Sequence, residues 1–116
     1  MSMHEEHIAT ALNAAAALGQ RVAVFAPGGA EAHELFEAFA AHLPEGYAVD
    51  LRRTSGRESF RFKGSGGEIR FYGLRSRGHR GWAADRAFVP VGISPDRLAD
   101  IWPALNTSRV GVLTGF

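Results

Sequence analysis

Val22-Ala23-Val24-Phe25-Ala26 is an unbroken apolar run, and Pro27-Gly28-Gly29 follows it at once. An apolar run with no polar residue between reads as a strand buried on both faces, the pattern of a parallel strand covered by helices. Beyond the turn, Ala32, Leu35, Phe36, Phe39, Ala40 and Leu43 recur at spacings of three and four, with Glu31, Glu34 and Glu37 outside that stripe or near its start. That is the period of an amphipathic helix, and acids in its first turns suit the helix dipole. A doubly buried strand feeding such a helix points to a layered α/β fold.

The rest of the chain keeps to this grammar. Ile8, Ala11, Leu12, Ala15 and Leu18 predict an Ala-rich helix that Gly19 stops. Pro44-Glu45-Gly46 ends the second helix, and Ala48 to Leu51 reads as a short strand. The period then changes to two: Phe60 and Phe62 alternate with Arg61 and Lys63, and after Gly64-Ser65-Gly66-Gly67, Ile69 and Phe71 alternate with Arg70 and Tyr72. This predicts a β-hairpin with one apolar and one basic face. Ala87 to Val89 reads as a buried strand. Ser94-Pro95 starts a helix whose stripe is Leu98, Ile101, Trp102 and Leu105, and Val110 to Leu113 reads as a last strand. The expected architecture is one α/β domain over residues 1–116, a layered, mostly parallel sheet flanked by helices with a β-hairpin insertion, preceded by a flexible lead-in of residues 1–7.

Composition narrows the function. The chain has 116 residues, 46% of them hydrophobic, and eight Phe, enough for one modest core. It contains no cysteine, so neither a disulfide framework nor a thiolate metal site can form. No apolar stretch reaches membrane-spanning length, and the acidic start Met1 to His7 lacks the pattern of a secretion signal, so a cytoplasmic location is expected. The net charge of +1 conceals a split. Residues 1–50 hold seven acids and one base, a net −6, whereas residues 51–86 hold ten bases and three acids, a net +7. Such a split favours a face that attracts polyanions, or an acidic face meeting a basic one on another copy.

From Arg21 onward the order of elements resembles the ATPase core of phage terminase large subunits and related superfamily helicases. Val22 to Ala32, an apolar strand, Ala-Pro and a helix start rich in Ala and Glu, is similar to motif Ia of that family. Phe60-Arg61-Phe62, the Gly-Ser-Gly-Gly turn and Glu68 to Gly73 resemble its hairpin. Ser76-Arg77-Gly78-His79-Arg80-Gly81 with Ala84-Asp85 is similar to the loop before the Walker B strand, and Leu113-Thr114-Gly115 to motif III. The resemblance implies a truncated RecA-like, P-loop-NTPase-like fold and a phage origin. Its departures carry as much information. No Gly-Lys-Ser/Thr phosphate loop exists anywhere, and the single lysine is Lys63 on the hairpin. Pro90 and Val91 fill the slots of the magnesium-binding Asp and the catalytic Glu. ATP hydrolysis needs a lysine and backbone N–H groups around the phosphates, ligands for Mg²⁺ and a group that orients water. The expectation is therefore a chain that is not an enzyme, with no catalytic residues, no metal site and no cofactor.

Binding is the remaining expectation. Arg75, Arg77 and Arg80, spaced by Gly and Ser beside His79 and Trp82, can meet phosphates bidentately, and Trp82 could stack on a base. The opposing reading pairs Arg80 with Asp85 and places Trp82 in the core. Arg61, Lys63 and Arg70 extend the basic region along the hairpin, and Arg52, Arg53 and Arg57 adjoin it, unless they simply protect a sheet edge. Pro27-Gly28-Gly29 could present N–H groups to a phosphate, although a plain strand-to-helix turn explains it as well. His4 and His7 have no third ligand in view, and Ser55, Ser59 and Ser65 lack a nucleophile elbow. Two functions follow. In the first, a non-catalytic terminase- or helicase-like domain binds nucleic acid through the basic hairpin and loop. In the second, a self-assembling interaction module oligomerises or binds a host or phage ATPase.

Overall fold

The computed structural model describes residues 3–43, 45–54, 56–75, 82–105 and 111–116. The elements are α1 (Glu5–Ala16), β1 (Arg21–Ala26), α2 (Gly29–Ala41), β2 (Val49–Arg52), β3 (Ser59–Phe62), β4 (Glu68–Gly73), β5 (Arg86–Val89), α3 (Pro95–Ile101), which runs into a 3₁₀ turn over Trp102–Ala104, and β6 (Val112–Gly115). The strands form one six-stranded sheet in the order β2-β3-β4-β1-β5-β6. The fold is α/β, with the three helices flanking the sheet.

The sheet is mixed, not mostly parallel. β1 pairs in parallel with β4 and β5, and β5 with β6, whereas β3 runs antiparallel to both β2 and β4. Connection length is the cause. A parallel strand needs a crossover of a dozen or so residues, as α2 provides between β1 and β2 and α3 between β5 and its neighbour β6, whereas the short links on either side of β3 allow only antiparallel pairing.

Two cores lie on opposite faces. On the first, Ile8, Ala11 and Leu12 of α1 and Leu35, Phe36 and Phe39 of α2 pack against Val22, Val24, Phe60, Phe62, Ile69, Phe71 and Phe88. On the second, Ile101 and Leu105 pack against Ala23, Phe25, Tyr72, Ala87 and Val89, with Trp82 alongside. β1 supplies both cores, which is why its apolar run is continuous. On the first face Phe36 stacks on Phe60 at 4.8 Å, and Phe39 meets Phe71 edge-on at 4.9 Å.

Local differences from the sequence reading have identifiable causes. α1 takes in residues 5–7, ahead of its apolar stripe, because the His4 ring accepts from the Glu6 N–H at 3.2 Å and caps it. Leu18 lies past the end of α1 and is exposed. Trp102 is exposed as well, because the helix tightens into 3₁₀ geometry there and turns the ring outward from the expected stripe, while Ile101 and Leu105 stay buried. Val110 lies outside the described residues. No helix among the described residues is long and apolar enough to cross a membrane.

Candidate functional site

The second sheet face is covered on one half only. Strand alternation puts Asp50 and Arg52 of β2, Ser59 and Arg61 of β3 and Glu68 and Arg70 of β4 on that face. α3 packs over β1, β5 and the far end of β4, and no described element packs over β2 and β3. An open groove of about 640 Å³ occupies the uncovered part, lined by Arg52, Arg57, Arg61 and Arg70 together with Asp50 and Glu68. Arginine is in excess there.

The hairpin cations are paired, Arg61 and Lys63 across strands and Arg70 with its neighbour two residues back on β4. Arg61 Nη2 lies 3.6 Å from Glu68 Oε1, Arg70 Nε donates to Glu68 Oε2 at 2.5 Å, and Lys63 Nζ lies 3.4 Å from Asp50 Oδ1. One carboxylate thus serves two arginines. The exposed Lys63–Asp50 pair contributes little to stability and stays open to competition by a stronger anion. By contrast, no ion pair with another described residue engages Arg52, Arg57 or Arg75. Arg70 is held most firmly. Its guanidinium lies 4.3 Å from the Trp82 ring centroid, and burial, which opposes its charge, is outweighed by hydrogen bonds to Glu68 and Tyr72 that raise its pKa.

The structure therefore gathers Arg61 and Arg70 on one face, with Lys63 at the hairpin end, and it brings in Arg52 and Arg57. Arg75 follows β4 at the carboxyl edge of the sheet and is exposed. Arg77 and Arg80, with His79, lie outside the described residues. Trp82 sits half-buried against the second core with Arg70 across one ring face, so the stacking surface expected of it is occupied by a side chain of the same protein.

That carboxyl edge is also where the connections from adjacent β1 and β5 leave to opposite faces, α2 to one and α3 to the other, which creates a crevice in open α/β sheets. Gly73 lies so close to the α2 entry that a Cβ there would stand 3.1 Å from the Gly28 carbonyl carbon. Pro90 and Val91 follow β5 at the same edge, with Val91 78% exposed.

One cluster escaped the sequence reading. Glu58 precedes β3 in phase with Phe60 and Phe62, so its carboxylate falls on the apolar face and is only 1% exposed. His33 Nδ1 donates to Glu58 Oε2 at 3.1 Å from α2, while Glu58 Oε1 has no hydrogen-bond partner among the described residues. His33 Nε2 lies 3.7 Å from Glu37, which Arg53 bonds in turn while its guanidinium covers the Phe36 ring. The two-residue alternation of 58, 60 and 62 was the available signal. No group of three or more His, Asp or Glu placed to hold a metal ion occurs among the described residues.

No known family model, curated protein sequence or solved structure matches the chain.

Proposed function

We propose that this chain works by binding nucleic acid through phosphate contacts on the uncovered half of its sheet, without turning over a nucleotide. The observation that carries the reading is the open groove in which Arg52, Arg57, Arg61 and Arg70 outnumber the accessible carboxylates of Asp50 and Glu68. Phosphates compete well for guanidinium groups, because a bidentate charge-assisted pair replaces a shared one. Arg75 extends the contact beyond the carboxyl edge. Recognition rests on backbone charge, because the aromatic residues lining the groove, Phe71 and Tyr72, are buried in the cores and Trp82 carries Arg70 on one ring face. The terminase-like order of elements supports the same reading, and the absence of any Gly-Lys-Ser/Thr motif argues against hydrolysis.

Fluorescence anisotropy of a labelled oligonucleotide against salt concentration tests this. Affinity is expected to fall steeply with salt, and each of Arg57→Ala and Arg75→Ala to reduce the magnitude of the log–log slope by about 1. Slopes unchanged in both variants, or no binding even at low salt, would refute the proposal.

A further inference from the structure

We propose that β2 is a self-recognition edge: two copies of the chain pair β2 to β2, antiparallel, about a two-fold axis through Leu51. β2 is the outermost strand, paired with β3 on one side and with no described strand on the other. Its Asp50, Leu51 and Arg52 are all exposed, Leu51 by 40%.

The hydrogen-bond phase of β2 limits how a second strand can add. Lys63 N donates to Ala48 O at 3.0 Å, so Ala48, Asp50 and Arg52 turn their peptide groups toward β3. Val49, Leu51 and Arg53 therefore turn theirs outward. An added antiparallel copy must place odd-numbered residues opposite odd-numbered ones, which leaves three central registers. Pairing Val49 with Leu51 of the second copy sets Asp50 against its own equivalent. Pairing Leu51 with Arg53 sets Arg52 against its own equivalent. Pairing Leu51 with Leu51 sets Asp50 opposite Arg52 twice. Like charges directly opposite one another disfavour the first two registers, and opposite charges favour the third. The Asp50–Arg52 pairs then fall at the non-hydrogen-bonded positions, where facing side chains approach most closely.

Charges on an edge strand usually keep other strands away. Here their alternation makes the edge self-complementary instead, which selects a second copy as the occupant. The two-fold axis stands perpendicular to the sheet and keeps like faces on one side. Leu51 meets Leu51 on the helix-covered face, and the two arginine-lined grooves adjoin on the other.

Sedimentation velocity without nucleic acid, across a wide range of protein concentration, tests the pairing separately from the binding function. The chain is expected to form a dimer, Asp50→Arg and Arg52→Asp singly to lose it, and the double exchange Asp50→Arg/Arg52→Asp to restore it. Circular dichroism reports whether each variant folds. The chain has no cysteine, so Leu51→Cys adds a unique thiol. Facing Cα atoms at about 5.5 Å suit a disulfide, so mild oxidation is expected to link Leu51→Cys into a covalent dimer much faster than the control Leu18→Cys. This thiol comparison decides the matter if the single charge variants fail to fold. A monomer throughout, a dimer indifferent to the charge reversals, failure of the double exchange to restore it, or equal cross-linking of the two thiol variants would overturn the proposal.

Discussion

Tyr72 shows how one residue joins the second core to the charged groove. Its ring stacks on Phe25 at 5.5 Å, and its phenol shares Arg70 with Glu68. Burial is the largest influence on the phenol and pushes its pKa above the ordinary 10.0, against the opposing pull of Arg70. The folded protein thus holds this proton more tightly than the unfolded chain does. The resulting stabilisation is complete below pH 10 and is lost as pH rises through the raised folded value. The chain has two tyrosines, so Tyr47→Phe leaves Tyr72 as the sole phenol. In that variant the tyrosinate absorbance is expected to rise only above pH 10 and to coincide with loss of the near-ultraviolet circular dichroism. A rise centred at or below pH 10, with the fold intact, would contradict the assigned burial effect.

Among the elements, the hairpin turn docks α1. Ser65 Oγ donates to the Ala15 carbonyl at 2.6 Å and accepts from the Gly67 N–H at 3.1 Å. Gly67 packs against the same carbonyl so closely that a Cβ would overlap its oxygen. Gly67→Ala must therefore push the turn off α1, at a cost of about 1–3 kcal/mol, the range for overpacked sites. Urea denaturation is expected to show the lower midpoint, and an unchanged midpoint would mean the turn yields freely. The existence of this hairpin and its two-sided character were legible, because Phe60, Phe62, Ile69 and Phe71 alternate with polar residues and period two is a local property. What escaped the sequence depends on partners distant in the chain. The pairing of Arg61 with Glu68 follows from the β3–β4 register, and the covering of Trp82 by Arg70 from where the chain returns before β5. The His33–Glu58 contact joins residues of two different elements, although the alternation placing Glu58 inward was there to be read. The mixed sheet was likewise a matter of connection length, which alternating strand and helix patterns alone did not reveal.

At the scale of the molecule, the sequence's charge split becomes a separation across the sheet. Glu5, Glu6, Glu31, Glu34 and Glu37 ride on the helices of the first face, and Arg52, Arg61 and Arg70 lie on the second with Arg57 in its groove. The molecule is 25 Å across its thinnest dimension. The screening length at physiological salt is about 8 Å, so the acidic face is nearly invisible to a polyanion seated on the other. Net charge and local charge therefore make opposite predictions. Glu6→Gln with Glu31→Gln raises the net charge by two, yet is expected to leave oligonucleotide affinity and its salt slope unchanged at physiological salt. Arg57→Ala lowers the net charge by only one and is expected to weaken binding under the same conditions. If affinity instead followed net charge across both sets, attraction would be a property of the whole globule, and the groove would have no special part in it.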